Sequence, residues 1–103
     1  MKSNSDRAAF TLGLAQKAGK IAGGALAAEK AIKSGKVCLV ILAGDASGNT
    51  RKKFSNMAAW YDVPVRVFLD RTELGHRIGK DERSVLALTD QNLAEAIQKQ
   101  LEE

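Results

Sequence analysis

The stretch Val37-Cys38-Leu39-Val40-Ile41-Leu42-Ala43 is apolar at every position, and its reading decides the fold class. A strand with one wet face alternates apolar and polar residues. A strand that is apolar throughout is covered on both faces. The run is far short of the ~20 residues that cross a bilayer. Gly35 before it and Gly44 after it mark its limits. The pattern predicts a central strand over 37–43 with helices above and below.

Upstream, residues 6–18 read as a first helix, with Ser5 as N-cap, Gly19 as the stop, and Phe10 and Leu14 four apart on its apolar face. A short strand over 20–22 follows. Gly23-Gly24 breaks the chain. Residues 25–34 then read as a second helix, with Ala25, Ala28 and Ile32 on one side. Downstream, 44–49 is a loop rich in capping residues, and 50–61 is a helix facing inward through Phe54, Met57, Ala58 and Tyr61. Pro64 opens a strand over 65–69. Asp70 caps a short helix over 71–78, which Gly79 ends. Residues 84–89 form another strand, and Asp90 caps a last helix with the stripe Leu93, Ile97, Leu101. Helices and strands alternate, so the expected class is α/β, with helices on both faces of a small sheet.

A chain of 103 residues, 45% of them hydrophobic, suits one domain with one core. The opening residues Met1-Lys2-Ser3-Asn4-Ser5-Asp6 lack the apolar centre of a signal peptide. A single cysteine, Cys38, excludes an internal disulfide, and these features together favour a cytoplasmic setting. The net charge of +4 is unevenly spread: residues 1–53 carry +7 and residues 54–103 carry −3. A basic half points to a polyanionic partner.

Catalytic vocabulary is thin. His76 is the one histidine, and Cys38 lies in the apolar run, where it reads as a small core residue. No Cys and His spacing suits a metal. Gly19-Lys20-Ile21-Ala22-Gly23-Gly24 resembles a phosphate loop only until Ala25 and Leu26 follow, where a P-loop requires Lys and Ser/Thr. Asp45 sits just past the central strand, where α/β proteins often place ligand-facing groups, but it has no neighbouring nucleophile or base. The expectation is therefore no enzyme, no metal and no cofactor.

Three segments suit nucleic acid instead. Gly23 and Gly24 open a helix, and glycine lets a backbone approach a phosphate or base while a helix start offers free N–H groups. Lys20 precedes the glycines, Lys30 shares a helix face with Leu26, and Lys33 lies one turn on. Arg51-Lys52-Lys53 places positive charge at a helix start, against the helix dipole, and a polyanion would relieve that. With one Trp and 5% aromatics the chain has no run of stacking residues, so a folded RNA fits better than an unstructured strand.

Two sets of residues resemble the ribosomal protein L7Ae family. One runs from Ala18-Gly19-Lys20 through Gly24, from Lys30 to Gly35, and into 37–43 and Asp45. The other is Val63-Pro64-Val65, then Leu74-Gly75 and Gly79. The tracts 45–50 and 74–80 are similar to its small bacterial branch. The resemblance covers nearly the whole chain. It implies a three-layer α/β/α sandwich with a small mixed sheet, and binding to kink-turn RNA, which family members hold at the start of the second helix and in adjacent loops. Their helix motif is Gly-x-Asn-Glu-x-x-Lys. Gly24 and Lys30 match it, whereas Leu26 and Ala27 replace the Asn and Glu that hydrogen-bond base edges. The loop before the last strand, apolar in many members, is charged here (Lys80-Asp81-Glu82-Arg83-Ser84). The residue pattern and the resemblance together give an expected RNA site of Lys20, Gly23, Gly24, Leu26, Ala27, Lys30, Lys33, Asp45, Ser47, Asn49, Arg51, Lys52, Arg83 and Ser84. The expected partners are ribosomal or other structured RNA and ribonucleoprotein proteins, with the chain itself a monomer. A protein-interaction module on the same fold is the alternative.

Overall fold

The computed structural model describes residues 3–102. Five helices and four strands alternate: α1 (Asn4–Lys17), β1 (Ile21–Gly23), α2 (Ala25–Lys33), β2 (Leu39–Leu42), α3 (Gly48–Trp60), β3 (Val65–Val67), α4 (Arg71–Arg77), β4 (Val85–Leu88) and α5 (Gln91–Glu102). The sheet order is β1-β4-β2-β3. β2 and β3 run parallel, whereas β4 is antiparallel to both β1 and β2, so the sheet is mixed.

The apolar run works as its composition requires. Leu39, Ile41 and Ala43 join a core with Ala8, Leu12 and Ala15 of α1, Leu74 of α4 and Ile97 of α5. Val40 and Leu42 point the other way, into a core with Ala28 and Ile32 of α2 and Phe54 and Ala58 of α3. Side-chain alternation along β2 and β4 thus feeds two cores, one per face. The result is a three-layer α/β/α sandwich, with α1, α4 and α5 on one face and α2 and α3 on the other. No helix among the described residues is long and apolar enough to cross a membrane.

Several local expectations change. β2 spans only the middle of the apolar run, and Lys20 precedes β1. The N-cap of α1 is Ser3, not Ser5: the Ser3 hydroxyl accepts from the Asp6 N–H, and the Asp6 carboxylate accepts from the Ser3 N–H. This reciprocal box satisfies two orphan donors. Phe10 and Leu14 are exposed, and the inward face of α1 is Ala8, Leu12 and Ala15. Small residues there let α1 lie close against α5, where Thr11 reaches Gln100 at 2.9 Å. Ala25 is exposed rather than inward, because it opens α2 at the rim of the molecule. Tyr61 caps α3 at its C-terminus and remains 38% exposed. Cys38 is only partly buried, packed against the α1/α4/α5 core, and desolvation raises its thiol pKa. Asp70 and Asp90 cap their helices as expected, accepting from the Glu73 and Leu93 N–H groups.

Candidate nucleic-acid interface

The strand directions gather one set of loops. β1, β2 and β3 end where β4 begins. The starts of α2, α3 and α4 and the α4–β4 loop therefore share one rim of the sandwich. Backbone hydrogen bonds lock them together. The Gly24 N–H donates to the Val85 carbonyl, Ala43 to Ser84, Gly44 to Leu69 and Arg83 to Arg71.

Gly24 is the N-cap of α2, at φ +95° and ψ 162°. That backbone region is open to glycine and closed to side chains bearing a Cβ. No side chain caps α2, so the N–H groups of its first turn have no side-chain acceptor, an arrangement suited to an anion or an electron-rich base edge. Arg83 lies over this start: a Cβ added to Gly24 would sit 3.4 Å from its Cδ and 3.6 Å from its Nε. Its Nη1 donates to the carbonyls of Asp81 and Glu82 at 3.2 and 2.8 Å. The guanidinium is thus held by its own loop and keeps further donors for a ligand. That loop is seated on Gly75, where any Cβ would overlap the Asp81 carbonyl.

A groove of about 510 Å³ runs between these parts. Gly23, Gly24, Leu26 and Ala27 form one wall, Arg83 and Ser84 the other, and Thr50 of α3 closes one side. Six of the residues expected from the sequence thus converge. Leu26 is 80% exposed. Lys30, exposed on the face of α2 that carries Leu26, has no ion-pair partner among the described residues.

Other expected residues have different positions or duties. Lys20 sits at the opposite end of β1, where its carbonyl accepts from the Thr89 N–H. Lys33, near the far end of α2, pairs with Glu29 at 2.8 Å, and Lys53 of α3 reaches the same carboxylate at 2.7 Å. These two lysines pull the Glu29 pKa down to about 2. Asp45 accepts from the Arg71 N–H at 2.9 Å and pairs with its side chain, which lowers the Asp45 pKa and ties the β2–α3 loop to α4. Ser47 caps α3, accepting from the Thr50 N–H. Arg51 folds back to donate to the Gly44 carbonyl. Asn49 and Lys52 stand exposed on α3.

Sequence reasoning missed Ala25, Thr50 and Glu82, which also line the groove. A signal for Thr50 was present: three residues after a capping Ser47, it occupies the first turn of α3, which the strand order brings to this rim. Glu82 belongs to the charged 80–84 loop that contributes Arg83 and Ser84, and its place follows from the seating of that loop on Gly75. Among the described residues, no group of three His, Cys, Asp or Glu could hold a metal ion.

A three-layer sandwich with a glycine-opened α2 facing an arginine loop defines a class. The model of the Ribosomal protein L7Ae/L30e/S12e/Gadd45 family matches residues 6–98. The chain belongs to that family. It is 42% identical over 83 residues to "RNA-binding protein YlxQ" of Bacillus subtilis (strain 168), covering 81% of this chain and 83% of that one. It is 32% identical to "RNA-binding protein YlxQ" of Enterococcus faecium, covering 98% and 97%. A solved structure described as a protein with unknown function from Bacillus halodurans C superposes with a TM-score of 0.88 at 35% identity, covering 93% of this chain and 97% of that one.

Proposed function

We propose that this protein is a non-catalytic, cytoplasmic RNA-binding protein that seats a sharply bent, kink-turn-like RNA against the start of α2. The observation carrying this reading is the convergence of the uncapped, glycine-opened α2 with Arg83 across one groove. Membership of a ribosomal protein family and two relatives named as RNA-binding proteins support it. In this reading the α2 N–H groups and Gly24 admit the backbone or base edges at the bend. Arg83, Lys30 and Lys52 contact phosphates. Ser47, Asn49, Thr50 and Ser84 supply neutral donors and acceptors nearby. Asp45 acts indirectly, by fixing the loop that carries Ser47.

Filter binding against a kink-turn RNA and a straight duplex of the same length, over a salt series, tests this. The bent RNA binds more tightly, and affinity falls steeply with salt as counterions are released. Lys30→Glu weakens binding and flattens the salt slope. Equal affinity for both RNAs, with a shallow salt dependence, sinks the kink-turn reading. Leu26, apolar and exposed in the middle of the site, favours the competing reading of a protein-interaction module. That reading predicts protein capture unaffected by Lys30→Glu.

A further inference from the structure

The most exposed large apolar side chain among those described is Trp60, at 85%, and nothing in the groove accounts for it. It ends α3, whose inward face is Phe54 and Ala58. On the opposite face, Asn49, Lys52, Asn56 and Trp60 follow one another at helical i, i+3 and i+4 spacings, so they form a single stripe. The stripe starts at the rim shared with Gly24 and runs about 17 Å to Trp60 at ~1.5 Å per residue. α3 contains no Asp or Glu. The neighbouring Glu29 is already held by Lys33 and Lys53. Asp62 is exposed just beyond the helix end. A stripe of amides and lysine ending in a bare indole is complementary to a strand of nucleic acid: cations for phosphate, amides for base or sugar edges, and a flat ring for one base.

We propose that the outer face of α3 extends the RNA surface beyond the groove, and that Trp60 stacks on a single unpaired nucleobase flanking the bent element. This rests on the RNA-binding reading above. It differs from that reading in needing an unpaired nucleotide outside the bend.

Trp60 is the sole tryptophan, so its fluorescence reports the event directly. Two probes are titrated into the full chain: a blunt kink-turn RNA, and the same RNA with a short unpaired extension on one stem. Binding is followed in parallel by filter retention and by Trp60 emission. The extended RNA is expected to bind about tenfold more tightly than the blunt one and to quench Trp60, as loss of one base–aromatic stack implies. Trp60→Ala removes the tenfold gain while leaving blunt-RNA affinity unchanged, and Trp60→Phe restores part of it. Lying outside the core, Trp60 can be replaced without cost to folding, which circular dichroism verifies. Retention of both RNAs with equal affinity and unaltered emission overturns the proposal but leaves the groove reading standing. Retention of neither RNA overturns both.

Discussion

Gly24 concentrates the site's requirements in one residue. Its φ of +95° strains any residue with a Cβ, and Arg83 lies against the place a Cβ would occupy. Gly24→Ala should destabilise the fold by about 1–3 kcal/mol, measured by urea unfolding, and should weaken RNA binding because relief of the strained φ re-aims the start of α2. Leu26 and Ala27 carry the opposite kind of information. Their side chains offer no hydrogen bonds where related proteins place Asn and Glu, and both are exposed, so polar replacements enter solvent at little cost to folding. The double change Leu26→Asn and Ala27→Glu should tighten binding to a kink-turn with sheared G·A pairs by about 1–3 kcal/mol, on the scale of a bidentate base contact. Isothermal titration reads the gain, and an unchanged affinity removes the α2 start from the base-reading role. Residue identities made Gly24 and Lys30 visible in the sequence. A capping duty in the 44–49 loop was legible, and Ser47 performs it on Thr50; the tie of Asp45 to Arg71 was not visible, because only the fold brings that partner near.

The helices were legible as elements but not always as faces. α1 bears two apolar stripes at i, i+4 spacing, and periodicity alone cannot rank them. The larger stripe, Phe10 and Leu14, is outside. The smaller one is inside, because a helix wedged between α4 and α5 has room for alanines and a leucine. The cap of α1 was misplaced by two residues, although Ser3 and Asp6 already had capping-box spacing. Between α2 and α3, one carboxylate serves as the joint. Glu29 ties Lys33 on its own helix to Lys53 on the next. Its pKa is about 2, below the ordinary carboxylate range, so this tie contributes above that range and is lost as pH falls through the folded value. An NMR titration of the Glu29 side-chain carbon should show a midpoint near 2, moving up toward the ordinary range in Lys53→Ala. A normal midpoint in the unsubstituted protein would mean the α2–α3 joint does not hold in solution.

At the scale of the molecule, the apolar run 37–43 asked for cover on both faces, and the helical patterns on either side of it supplied helices as that cover. Strand order was beyond reach, because no residue in β1 says which neighbour it takes. That order has a consequence for synthesis. β4, the last made of the described strands, lies between β1 and β2 and is the neighbour through which β1 joins the sheet. A chain emerging from the ribosome therefore holds two unjoined sheet pieces until residues 85–88 are free. The fragment 1–84 should lack cooperative unfolding and amide protection in β1, checked by hydrogen exchange. The groove obeys the same timing, since the wall bearing Gly24 is made early and the wall bearing Arg83 late. A nascent chain thus has no complete surface to offer a nearby RNA until residues 83–88 have emerged. The order of synthesis sets the order in which the two walls of the groove can meet.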